Sequence, residues 1–213
     1  TALKTGFPMH SHSLRLKRMT QVLTVGLAAW AGVATAGIVE VVEFYRPSVD
    51  HYFVTASPDE IAKLDSGVFV GWQRTGQTFA ALDSTDTTPG AMPVCRFYGS
   101  PAAGLDSHFY SASASECAAV KEKFPDAWIF EGANVFQIYL PNATTGQCPT
   151  NTKPVYRSWN QRSDSNHRYT TSTATLDAMV ANGGVAEGYG SPPHPVAMCA
   201  PIPPSALPPV CTV

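Results

Sequence analysis

Three stretches of this chain are copies of one pattern, and a repeat of that kind limits the possible fold more than any single motif does. Residues 41–64 (VVEFYRPSVDHYFVTASPDEIAKL), 93–120 (PVCRFYGSPAAGLDSHFYSASASECAAV) and 154–180 (PVYRSWNQRSDSNHRYTTSTATLDAMV) align with one another. In that alignment His51, His108 and His167 coincide, at spacings of 57 and 59 residues. Downstream, Trp72-Gln73-Arg74-Thr75-Gly76 matches Trp128-Ile129-Phe130-Glu131-Gly132. The third copy reads Gly184-Val185-Ala186-Glu187-Gly188, with Gly in the place of Trp. The units cover 41–80, 93–140 and 154–200.

Within each unit a β-rich run (Val41–Tyr45, Val94–Tyr98, Val155–Trp159) leads through a polar turn to a second run that opens at the His. Gly, Pro, Asp and Asn in those turns predict a hairpin. A helix is expected next. Ser57-Pro58-Asp59-Glu60 and Ser113-Ala114-Ser115-Glu116 read as capping boxes, in which the hydroxyl accepts an early helix N–H and the Glu reaches back to the cap. In the third unit Ser172-Thr173-Ala174-Thr175 keeps the cap without the Glu. A last extended segment closes the unit. Such a unit cannot bury its apolar face alone. The expected class is therefore α+β, mainly β with three short helices, as three hairpin–helix–strand units packed with pseudo-threefold symmetry around one core. A gap is expected in the third unit at Gly184.

The two ends read differently from the repeats. Arg15, Lys17 and Arg18 precede an apolar run ending Ala34-Thr35-Ala36, the pattern of a secretory signal peptide cleaved near Ala36. Residues 1–36 are accordingly set apart, 37–200 form one domain, and 201–213 read as a Pro-rich tail. The apolar run is too short for a membrane anchor. Removing 1–36 takes four of the fourteen Lys and Arg and leaves ten against sixteen Asp and Glu, a net charge of −6. No basic cluster remains to attract nucleic acid or an anionic membrane.

Export to the periplasm or the medium would place Cys95, Cys117, Cys148, Cys199 and Cys211 where disulfides persist. In the alignment Cys95 falls with Val42 and Tyr156, and Cys117 with Ile61 and Leu176. Both are apolar positions in the sister units, so a Cys95–Cys117 bridge would replace a strand–helix contact. Cys148 and Cys199 bracket the third unit as a second pair, which leaves Cys211 over.

The combination VCRFYG…DSHFYSASASECAAV…FEG with PVYRSWNQRSDSNHRYTT…VAEGYG…MC resembles a three-repeat secreted bacterial domain of unknown function. Its units read Y-R-F-Y, H-F-Y-T, a capped helix and G-W-x-x-E-G. The resemblance spans nearly all of 41–200. It implies an accessory or binding role, because such repeats stand alone or beside secreted peptidases and cell-wall lysing enzymes, and it carries over no catalytic residue. The first unit departs from it, with Glu43 where Arg96 and Arg157 stand and Thr75 where Glu131 and Glu187 stand. If Arg and Glu pair within a unit, the first has lost both members together.

There is no G-x-S-x-G elbow, H-E-x-x-H, P-loop or dinucleotide fingerprint. The remaining candidates are His51, His108 and His167, either opening their strands structurally or converging as catalytic or zinc-binding imidazoles. Asp50, Asp106, Asp164 and Asn166 offer the oxygen ligands that calcium prefers. Tyr45, Tyr98, Trp159, Tyr110 and Tyr169 are candidate ligand-stacking rings. The leading expectation is a secreted binding domain for carbohydrate, cell wall or another extracellular ligand. A small ester or lactone hydrolase, with calcium or zinc as its metal, and a purely structural module are the alternatives.

Overall fold

A computed structural model describes residues 37–203. The expected signal peptide, the tail from residue 204 onward and Cys211 lie outside the described residues.

Each repeat forms a three-stranded antiparallel sheet with its first strand in the middle. In unit 1, β1 (Ile38–Arg46) pairs with β2 (His51–Thr55); α1 (Pro58–Asp65) follows, and β3 (Gln73–Leu82) returns along the other side of β1. After β4 (Met92–Pro93), unit 2 repeats the plan with β5 (Cys95–Gly99), β6 (Ser107–Ser111), α2 (Ala114–Lys123) and β7 (Trp128–Gly132), in the order β6-β5-β7. After β8 (Gln137–Ile138), unit 3 has β9 (Thr152–Trp159), β10 (His167–Thr170), α3 (Thr173–Ala181) and β11 (Val185–Glu187), in the order β10-β9-β11. A last strand, β12 (Met198–Pro201), pairs with the first half of β9, so the domain continues into Pro201. The short β8 lies between β3 and β4 and extends the first sheet to five strands. The mainly β architecture with three short helices is as expected.

The pairing registers revise the alignment of the repeats. Glu43 lies opposite Val54, Arg96 opposite Tyr110 and Arg157 opposite Tyr169. Val54, Tyr110 and Tyr169 are thus equivalent, and counting back along the strands sets Tyr52 beside His108 and His167. His51 instead corresponds to Ser107 and Asn166. Side chains alternate between faces, so a slip of one residue moves His51 to the opposite face from the other two. Left-handed backbone at Asp50, Asp106 and Ser165 (φ 57, 49 and 33) marks the same step at the end of each turn and fixes this register.

The helix caps are only half as expected. Ser57, Ser113 and Ser172 accept from the N–H of Glu60, Glu116 and Thr175. The cap's own N–H, which a capping-box Glu would take, instead donates to the hydroxyl of Thr55, Ser111 or Thr170. Glu60 and Glu116 are thereby free to reach a neighbouring unit.

The interior is one main core with two satellites rather than the single core expected. The main cluster draws Val41, Phe44, Phe79, Tyr110, Ile138, Tyr169 and Met198, among others, from all three units. Cys95, Phe97 and Phe109 form a second cluster against Cys117, and Tyr156, Leu176, Val196 and Cys199 a third against Cys148. Both expected disulfides lie in the satellites: Cys95–Cys117 closes 22 residues and Cys148–Cys199 closes 51, with Cα–Cα distances of 6.3 and 5.7 Å. Small clusters bury little apolar area, and cross-links closing loops of this size contribute roughly 3–4 kcal/mol each.

Candidate functional site

The hairpin tips are tied by repeated contacts. Tyr45 and Tyr98 donate their hydroxyls to Asp50 and Asp106, at 3.1 and 3.0 Å, and the Trp159 indole N–H donates to Ser165 Oγ at 3.0 Å. Each pair clamps a left-handed turn residue to the preceding strand. The equivalent residues His51, Ser107 and Asn166 then join the units. His51 Nδ1 donates to the Asp106 carbonyl at 2.8 Å, Ser107 Oγ to the Ser165 carbonyl at 2.6 Å, and the Asn166 amide bonds the backbone of Tyr52. His51 thus does what a Ser and an Asn do in the other units.

A second set of contacts lies beneath these. At the junction of units 1 and 2, the Arg96 guanidinium makes a paired hydrogen bond to Glu60 at 2.8 and 2.9 Å, lies 2.7 Å from Glu131 and covers the Phe53 ring. The His108 ring sits 4.6 Å from Phe53, with Nε2 3.5 Å from Glu131. At the junction of units 2 and 3, Arg157 repeats this with Glu116, Glu187 and the Phe109 ring, and His167 lies 5.0 Å from Phe109 and 3.4 Å from Glu187. Arg and Glu therefore pair within units 2 and 3. Between units 3 and 1 the charges are exchanged: buried Glu43 receives both bonds from Arg168 at 2.9 Å, and Arg168 covers Tyr52.

Burial sets the protonation states in these clusters. It pushes His108 and His167 down to about 3, with Arg96 and Arg157 adding to the effect, so both imidazoles are neutral near pH 7. It also disfavours the Glu60 and Glu116 carboxylates, but hydrogen bonds from Arg96 and Arg157 outweigh it and both pKa values are lowered. For Glu131 and Glu187 burial prevails and the pKa is raised.

A cleft of about 520 Å³ opens at the first junction. Its floor is the Glu60–Arg96–Glu131–His108 cluster, its aromatic lining is Phe53, Trp72 and Tyr98, and Arg46 and Asp106 meet at its edge at 2.8 Å. At the second junction Trp128 packs against Phe109 at 6.1 Å and His167 at 6.3 Å. The residue opposite Trp128 is Gly99, and a Cβ there would come within 3.2 Å of the indole. The equivalent of Gly99 in unit 1 is Arg46, whose side chain occupies the space beside Trp72 and Gly71. Trp72 packs against Phe53 at 5.9 Å much as Trp128 does against Phe109, so the two tryptophans differ in their other neighbours: Gly99 and His167 beside Trp128, Arg46 beside Trp72.

The model of the family described as domain of unknown function DUF5648 matches residues 24–138 and again 132–192. The chain belongs to that family. No curated protein and no solved structure matches it.

In this DUF5648 chain the sequence candidates divide cleanly. Tyr98 and His108 line the cleft. Tyr110 and Tyr169 are core residues instead of ligand-stacking rings: both are fully buried, the Tyr169 hydroxyl bonds the Tyr110 backbone, and the Tyr110 hydroxyl donates to the Val54 carbonyl. The three His side chains do not meet at one point, since His51 serves the hairpin tips and the other two serve separate junctions. The oxygen-rich residues are engaged with protein partners. Asp50 pairs with Arg162, Asp106 with Arg46, Asp164 with Arg162 and His51, and Asn166 with Tyr52. Among the described residues no group of three His, Cys, Asp or Glu has metal-binding geometry, and no helix is long and apolar enough to cross a membrane. The Gly184 gap is absent, because the backbone of Met179 and Trp159 fills the place where its Cβ would stand. Sequence reasoning missed Glu60, Arg46 and the loop Val68–Val70 as parts of the cleft. Glu60 was legible as a cap residue, and only the Arg46/Gly99 difference could have pointed to an opening.

Proposed function

We propose that this chain is an extracellular binding domain that takes a saccharide in the cleft between units 1 and 2. The carrying observation is the combination of an aromatic wall with charged side chains already fixed by ion pairs. A sugar ring offers an apolar face for Trp72 and hydroxyls for Glu60, Arg96, Glu131 and Asp106. A pocket of this volume lies in the range of about 300–1,000 Å³ that small ligands use. Groups held in place beforehand lose little freedom when a ligand arrives. The two disulfides support an oxidising compartment and hence secretion. The contacts between units 1 and 2, 2 and 3, and 3 and 1 support a ring with approximate threefold symmetry, in which the cleft lies at one junction.

Ester or lactone hydrolysis has one observation in its favour: the Glu60 and Glu131 carboxylates are pushed in opposite directions beside a neutral imidazole, as acid–base pairs are. The same set recurs around Arg157, where it serves packing, and this gives binding precedence. Sedimentation with insoluble polysaccharides and peptidoglycan tests the reading. Binding is expected for the native chain and is expected to fall at least tenfold in Trp72→Ala. No retention on any of them would overturn the saccharide assignment, and turnover of ester or lactone substrates, lost in Glu131→Gln, would favour the hydrolase.

A further inference from the structure

An apolar rim borders the polar floor of the cleft. Between α1 and β3 the chain makes a loop flanked by Gly67 and Gly71, both in left-handed backbone at φ 75 and 88. Between them Val68, Phe69 and Val70 line the cleft while 65, 45 and 79 % exposed. The unit 2 side contributes Ile129, 51 % exposed and directly opposite Tyr98 in the sheet. Residues directly opposite each other on paired strands share a face, so Ile129 stands on the side of the sheet that carries the cleft residue Tyr98. Single exposed apolar residues are ordinary, but a contiguous run beside a polar cleft signals contact with a partner.

We propose that the ligand is a saccharide bearing an alkyl or acyl chain, with the sugar on the Glu60–Arg96–Glu131 floor and the chain against Val68, Phe69, Val70 and Ile129. This rests on the saccharide reading and names its ligand class. An entirely apolar ligand would strip water from three charged side chains and return no hydrogen bonds, which is costly. An unsubstituted sugar would satisfy the floor and leave the rim in water. A molecule polar at one end and apolar at the other matches both halves, and burying each methylene of the chain adds to affinity.

The experiment titrates the purified protein with methyl and octyl glycosides of glucose, galactose and N-acetylglucosamine, below the concentration at which the octyl compounds form micelles. Calorimetry is expected to show at least one octyl glycoside binding 30-fold or more tightly than its methyl counterpart. Replacing Val68, Phe69 and Val70 together by Ser is expected to reduce that ratio to threefold or less, and Phe69→Ser alone to an intermediate value. The replaced side chains are exposed, so the thermal midpoint of each variant verifies folding. Equal affinity for methyl and octyl compounds, or a preference that survives the triple replacement, overturns the assignment and leaves the saccharide reading standing. Binding of no glycoside overturns both. Binding to phosphatidylcholine vesicles without glycoside binding, lost in the triple variant, assigns the rim to a lipid surface and likewise overturns the proposal.

Discussion

The junction of units 1 and 2 and the junction of units 2 and 3 are built from the same parts, yet they open on different sides: Trp72 and His108 line the cleft at the first, whereas Ser111, Ser113 and Gly188 line the hollow beside Glu116 and Arg157 at the second. Arg96 and Arg157, His108 and His167, Phe53 and Phe109, and Glu60 and Glu116 occupy matching roles. The difference lies at their edge, where Gly99 admits Trp128 and Arg46 stands beside Trp72. A repeated cluster is therefore a structural device, and a departure from the repeat beside it is where a specific function can arise. The third junction shows the device is electrostatic at heart, since Glu43 and Arg168 exchange signs and still pair.

The largest expected effect concerns the two arginines. Arg157→Met leaves Glu116 and Glu187 without their cation, and Arg96→Met does the same to Glu60 and Glu131. Both arginines are largely buried, while the four carboxylates keep 24 to 36 % of their side-chain surface in water. About 2–3 kcal/mol is therefore expected for each variant. Urea denaturation of both variants measures the losses. A loss at one arginine only would mean that the two clusters are not equivalent, and the comparison would fail.

Acid tests what the two junctions share. His108 and His167 have folded pKa values of about 3, depressed from an ordinary 6.5. Their contribution is complete above pH 6.5 and is lost as the pH falls towards 3, because the unfolded chain takes up the proton first. Each is expected to account for roughly 4 kcal/mol of that loss. Glu60 and Glu116, with lowered pKa values, add to the loss at the acid end, while the raised values of Glu131 and Glu187 oppose it. Between pH 7 and pH 4, His108→Phe and His167→Phe should each flatten stability against pH, and to a similar extent, since burial depresses both imidazoles alike. A variant that leaves the slope unchanged would contradict the burial of that imidazole.

Gly99 is the next test. An added Cβ would lie 2.7 Å from Leu105 Cβ as well as 3.2 Å from Trp128, and overpacking of this kind costs about 1–3 kcal/mol. Gly99→Ala should lower the urea midpoint accordingly and raise the accessibility of Trp128 to a fluorescence quencher. An unchanged midpoint would show that Trp128 is not held by the glycine.

Much of this architecture was legible in the sequence because repetition supplied internal controls. Cys95 and Cys117 were identifiable as a pair because Val42, Tyr156, Ile61 and Leu176 showed what their positions require. The Arg–Glu pairing was visible in the joint absence of both from unit 1. The histidine alignment failed for the opposite reason: matching one conspicuous letter set aside the unbroken match of DHYFVTAS with DSHFYSAS, which puts His51 against Ser107. Cap signals were also ambiguous, since a Glu three residues after a Ser suits both a capping box and a reach across a junction. Only the hydroxyl two residues earlier decides which is made. The cleft depends on tertiary placement of Arg46 and Trp72, which no periodicity encodes.

The smallest expected change in stability carries the most information about function. Arg46 is about a third exposed and its partner Asp106 slightly more so, and an ion pair that open contributes about 0–1 kcal/mol. Arg46→Gly should therefore leave the urea midpoint within that range while giving unit 1 the residue that unit 2 uses to seat its tryptophan. Trp72 is then expected to move towards His108, with a blue-shifted emission and at least a tenfold loss of glycoside affinity. Arg46→Lys, which keeps a long side chain beside Gly71, should retain both the emission and the binding. If Arg46→Gly binds as the native chain does, the opening of the first junction has another cause and the contrast between Arg46 and Gly99 does not explain it.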